Sequence, residues 1–112
     1  METKIYKTLS QWFPEAFNGF TKPTGTISDY EVLRHFANYT QKLIQQNDEK
    51  MMEPFKIINL LYAKSTLYEK NAIENEFFHV IAISEKQVTL KQHIELMPEA
   101  LRPVYIKTII EN

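Results

Sequence analysis

The chain has no cysteine, and that one absence removes a disulfide scaffold, a thiolate zinc site and a cysteine nucleophile together. A reducing compartment suits such a composition, and the cytoplasm is the expected location. Glycine is almost as scarce: Gly19 and Gly25 are the only two, both in the stretch Asn18 to Thr26. That stretch reads as a loop. A phosphate-cradling loop needs several glycines in register ahead of a helix, so the common nucleotide-binding loops are excluded, and no Gly-x-Ser-x-Gly elbow occurs. No apolar run approaches the roughly 20 residues that cross a bilayer. The opening Met1-Glu2-Thr3-Lys4-Ile5-Tyr6-Lys7 mixes charges where a signal peptide would be apolar. Neither sign of charge is in excess. Thirteen basic and fourteen acidic residues leave a net charge of −1, with five basic and six acidic up to Glu49 and eight of each beyond it. Without a basic surplus, neither nucleic acid nor an anionic membrane is expected as a partner.

What the chain does have is apolar surface. Its 112 residues fit a single domain spanning 1–112, and 44% hydrophobic residues, among them seven Phe, six Tyr and one Trp, are enough to offset chain entropy. The fold class is all-α, a compact bundle or orthogonal array of five to six helices, because apolar residues recur at three- and four-residue steps while turn glycines are few.

Ile5, Leu9, Trp12, Phe13, Ala16, Phe17 and Phe20 follow that spacing along a first helical face. Pro14 interrupts it, predicting a kink at Phe13 or a second short helix from Pro14. Ser28-Asp29-Tyr30-Glu31 has the form of a capping box and starts a helix to about Gln46, closed by Asn47-Asp48-Glu49. Its apolar face is Tyr30, Leu33, Phe36, Ala37, Leu43 and Ile44. A third helix, from Lys50 or Pro54 through Leu67, is apolar on more than one side and is expected to be the most buried. Asn71-Ala72-Ile73-Glu74 reads as the cap of a fourth, with Ile73, Phe77, Val80 and Ile81 on one face and Phe78 off it, suggesting a second contact surface. Thr89 with Gln92 predicts a shorter helix to about Met97. The last helix starts at Pro98, or at Pro103 with Pro98 to Arg102 as a separate turn.

Three histidines have a carboxylate close by in sequence: Glu31 before His35, Glu76 before His79 and Glu95 beyond His93. A metal site needs three or four converging ligands, and no pair of histidines stands four apart on one helix. No metal and no cofactor is expected, and these histidines read as exposed or half-buried groups stabilised by neighbouring charge. Glu69, Glu74 and Glu76, with Asn75 and His79, come nearest to an acid/base cluster. Such carboxylates do chemistry only where a cleft pushes their pKa values apart. Lys70 and Glu74 at i,i+4 make the same stretch a charged face, and no catalytic residue is assigned. Trp12, Phe13, Phe17 and Phe20, at helical spacing, read as core.

The order of motifs adds one more indication. The motifs are Phe13-Pro14, Tyr30-Glu31-Val32-Leu33-Arg34-His35-Phe36, Phe55-Lys56-Ile57-Ile58-Asn59-Leu60-Leu61, the helix containing Asn75, and Leu96-Met97-Pro98-Glu99-Ala100-Leu101-Arg102. Together they make the chain resemble a family of small bacterial all-helical domains of unknown function, some of them immunity- or adaptor-like. The resemblance implies a binding role. Two functions from different classes follow: a protein-interaction module, or a small enzyme or ligand-binding domain using the helix-four carboxylates. The first is favoured, with another protein as partner and Glu69, Glu74, Glu76, Phe78 and His79 as its contact surface. Phe78 would be the anchor inside an acidic rim.

Overall fold

The computed structural model describes residues 3–20 and 28–111. Most of the expected loop, residues 21–27, and the first two residues lie outside it. Within the described part the Thr3 hydroxyl accepts from the Tyr6 amide and starts α1 (Lys4–Trp12). Pro14 ends it as expected of a residue that suits only a first turn, opening a 3₁₀ turn, Pro14–Phe17. Gly19 takes a left-handed φ of 80°, which a side chain would strain.

Ser28 caps α2 (Asp29–Gln45), its hydroxyl oxygen accepting from the Glu31 amide at 3.2 Å. The far end is a Schellman closure. Asn47 sits at φ 51°, its amide bonds to the Ile44 carbonyl and that of Asp48 to Leu43, so two carbonyls left by the last turn are satisfied. Pro54 lies in the first turn of α3 (Glu53–Ala63), which stops short of Leu67.

The fourth helix begins earlier than Asn71. Thr66 and Glu69 form both bonds of a capping box ahead of α4 (Leu67–Ala72), which leaves Asn71 inside the helix. α4 continues through a π-helical segment, Ile73–Phe78, into α5 (His79–Ile83), making one continuous rod. The wider π turn changes which residues point inward. Phe77 and Phe78, adjacent in sequence, are both fully buried. Phe77 meets Phe36 of α2 at 5.9 Å and Phe55 of α3 at 5.8 Å, while Phe78 meets Tyr105 at 5.8 Å, so the second contact surface exists and faces inward.

α6 (Gln87–Leu96) starts two residues before Thr89. Thr89 lies in its first turn instead, accepting from the Lys86 amide at 2.9 Å. A 3₁₀ turn, Glu99–Leu101, then separates it from α7 (Arg102–Glu111), so the final helix starts with Pro103 in its first turn. Counting the rod once, the described residues form six helices and no strand, an all-α array. The rod packs between α2 and α7, and α1 packs on α2. A single hydrophobic cluster runs from Ile5 to Tyr105 across all of them. Five of the eleven residues of α3 are buried, the largest share among the six helices, as its apolar excess predicts, although its Leu60 is 58% exposed. The rod buries Ala72, Ile73, Phe77, Phe78 and Ile81 at 0% exposure but leaves Leu67 and Ile83 in solvent.

Candidate functional site

The expected acidic surface is taken up by internal contacts. Glu69 closes the Thr66 cap and faces Lys4 of α1 at 3.6 Å. Glu74 accepts from the Tyr62 hydroxyl at 2.6 Å and pairs with Lys107 of α7 at 3.6 Å. Glu76 takes two bonds of 3.0 Å from the Arg34 guanidinium of α2, and these raise the pKa of Arg34 above its ordinary value. Burial and the Glu74 carboxylate push the Tyr62 phenol up to about 12. Each carboxylate is therefore held by a different neighbour, and together they tie the rod to α1, α2, α3 and α7. Phe78 has no exposed surface and cannot anchor a partner, and His79 is half-buried on α5.

The other histidines also have partners that sequence proximity did not indicate. His35 bonds through Nε2 to the Ala16 carbonyl and lies 4.4 Å from the Phe20 ring, with Glu31 not its principal contact. His93 is 7% exposed, and its Nδ1 lies 2.7 Å from Glu85, not beside Glu95, which faces Lys91 across the surface at 4.0 Å.

Glu85 is the centre of the densest polar cluster. Its carboxylate also accepts from the hydroxyls of Thr89 and of Tyr105, which is fully buried. Burial pushes the Glu85 carboxyl up, but the bonds from Thr89, Tyr105 and His93, with the charge of His93, outweigh it and hold the carboxyl below its ordinary value. Burial and Glu85 together raise the Tyr105 phenol, keeping it protonated as a donor. The cluster locks the α5–α6 junction to α7. No three His, Asp or Glu side chains among the described residues form a group that would hold a metal.

The most exposed large aromatic lies elsewhere. Lys4, Thr8 and Trp12, one turn apart on α1, face Ile57, Leu60, Leu61 and Lys64 on α3 across an apolar cleft of about 210 Å³. Trp12 is 63% exposed, and it forms the wall between this cleft and a second one of about 430 Å³ lined by Phe13, Glu15, Lys50, Glu53, Lys56 and Ile57. Trp12 has the spacing of a core residue but borders on a face that no described element covers. The sequence signal for this site was the excess of apolar positions on α3, more than one face can bury.

A family model, that of a domain of unknown function (DUF7674), matches residues 6–111. The chain belongs to this family. The match takes in both walls of the groove except Lys4, and the whole Glu85 cluster, so both features lie within the DUF7674 domain. No curated protein and no solved structure is similar enough to match the chain. No helix among the described residues is long and apolar enough to cross a membrane.

Proposed function

We propose that this DUF7674 domain acts by binding another protein, as an immunity- or adaptor-like module in a reducing cytoplasm, and that the groove between α1 and α3 receives the partner. The observation that supports this is Trp12, a tryptophan 63% exposed beside Leu60 at 58%, with a cleft on either side of it. Tryptophan set in a desolvatable pocket is the residue type that contributes most to interface affinity, and large exposed apolar side chains gathered in one place mark contact sites. Lys4 and Lys64 stand at one end of the groove. A partner segment with one bulky apolar side chain and acidic flanks complements it, the charges speeding encounter and the apolar anchor slowing release.

Capture on the immobilised domain from lysate of the native host, read by mass spectrometry, tests the reading. One stoichiometric protein is expected, with Trp12→Ala and Leu60→Ser each weakening its binding by at least about tenfold. A partner retained equally by both variants refutes the groove, and the absence of any stoichiometric partner refutes the binding role.

A further inference from the structure

α7 has a second face. Tyr105 and Thr108 point into the core, whereas Pro103, Ile106 and Ile110 stand on the opposite side, with Ile106 42% and Ile110 76% exposed. These three recur at three- and four-residue steps, so they form one stripe along the helix. It lines an open trough bordered by Glu99, Arg102, Lys107 and Glu111. Apolar side chains gathered along one exposed helix face in this way mark a contact surface.

The charged borders indicate what covers it. Lys107 and Glu111 lie one turn apart on the same edge. Glu111 has no partner among the described residues, and the Lys107 side chain, 58% exposed, meets Glu74 only at 3.6 Å. When two identical helices pair antiparallel about a two-fold axis, the same edge of each comes to lie alongside itself. An edge carrying one charge of each sign is then complementary to its own copy, whereas an edge of one sign would repel itself.

We propose that α7 is a self-association surface, on which a second copy of the chain packs its own α7 antiparallel, with the two-fold axis level with Thr108. At that register Ile106 lies opposite the partner's Ile110, and Ile110 opposite the partner's Ile106. Lys107 and the partner's Glu111 are then offset along the axis by two residues, about 3 Å at 1.5 Å per residue, well within a lysine's reach. The contact occurs twice. A ten-residue helix is only about 15 Å long, so the area covered is below the roughly 1,200 Å² of a stable interface, and the dimer is weak and concentration-dependent. This surface is on a different helix from the α1–α3 groove, so the two sites stand or fall separately.

Sedimentation equilibrium of the purified chain, from about 10 µM to about 1 mM at low salt, tests the proposal. The average mass is expected to rise from 13.3 kDa towards twice that value. Ile110→Glu should keep it at the monomer value throughout, with circular dichroism confirming an unchanged fold, as suits so exposed a position. Glu111→Lys should weaken association, and adding Lys107→Glu should restore at least tenfold of what was lost. Because the chain has no cysteine, orientation is tested by mixing an Ile106→Cys chain with an Ile110→Cys chain. The mixed disulfide should form faster than either like pair. A parent chain monomeric at 1 mM overturns the proposal, including the case in which the stripe binds a lipid vesicle or an unlike protein instead. So does an Ile110→Glu chain that still dimerises, a charge swap no better than the single variant, or a preference for like disulfides.

Discussion

Replacing Tyr105 with phenylalanine removes one oxygen from the core, the one that donates to the Glu85 carboxylate. Nothing else need change, since the ring stays packed on Phe78. Tyr105 is 0% exposed and the Glu85 side chain 7%, so water cannot replace the lost donor. A hydrogen bond to a charged group contributes about 1.5 to 3 kcal/mol, and that is the expected loss at neutral pH. For a chain of this length the loss lowers the melting temperature by roughly 6 to 13 °C, taking about 2.1 cal/mol/K of unfolding entropy per residue. The pH dependence carries a sign. Because the Glu85 carboxyl is held below its ordinary value of 4.5, its ionised form contributes stability that is present above that value and is lost as the pH falls through the lower folded one. Tyr105→Phe removes one of the bonds holding it down. The gap between parent and variant is therefore widest at pH 7 and narrows below about pH 4. Urea melts followed by circular dichroism at pH 7 and pH 3 measure both gaps. A difference under about 0.5 kcal/mol at pH 7, or one of equal size at both pH values, refutes the assignment of Tyr105 as a donor to an ionised Glu85.

Leu61, 5% exposed on the inner side of α3, should cost about 2 to 5 kcal/mol as Leu61→Ala in a denaturant melt, and Phe78→Ala about 3 to 5 kcal/mol despite lying off the main stripe. Arg34→Ala, which frees Glu76 from a half-exposed pair, should cost only about 0.2 to 1 kcal/mol, and a loss beyond about 2 kcal/mol in the same melt would show that the pair is far less screened than its exposure indicates. Trp12→Ala should leave stability within about 0.5 kcal/mol, since the side chain lies mostly in water, so any binding defect it causes is not a folding defect. Elemental analysis of the purified chain should find no stoichiometric transition metal; about one equivalent of zinc, lost on replacing His35 or His79, would overturn the view that the histidines are scattered.

The features legible in the sequence were those decided within one turn of chain. Ser28 capping the Glu31 amide, Pro14 interrupting the first helical face and the close of α2 at Asn47 all depend on groups at most five residues apart, and the sequence alone determined them. The start of the last helix stayed open between Pro98 and Pro103 until the 3₁₀ turn Glu99–Leu101 decided it. The start of the fourth helix was misplaced: Asn71-Ala72-Ile73-Glu74 has the local form of a capping box, but Thr66 and Glu69 make the cap and Glu74 is given to Tyr62 and Lys107 instead. The π turn at Ile73–Phe78 inserts a residue that a fixed 3.6 period cannot represent, so Phe78 was placed on the surface when it is in the core. Periodicity also states which residues share a face, not whether another element covers it, and so Trp12 was assigned to the core although it is exposed. Tyr105 stands 20 residues from Glu85, and their bond exists only because α7 folds back against the rod. Local bonding is determined by neighbours in sequence; burial and long-range pairing are determined by which elements meet, and that is settled by the tertiary structure alone.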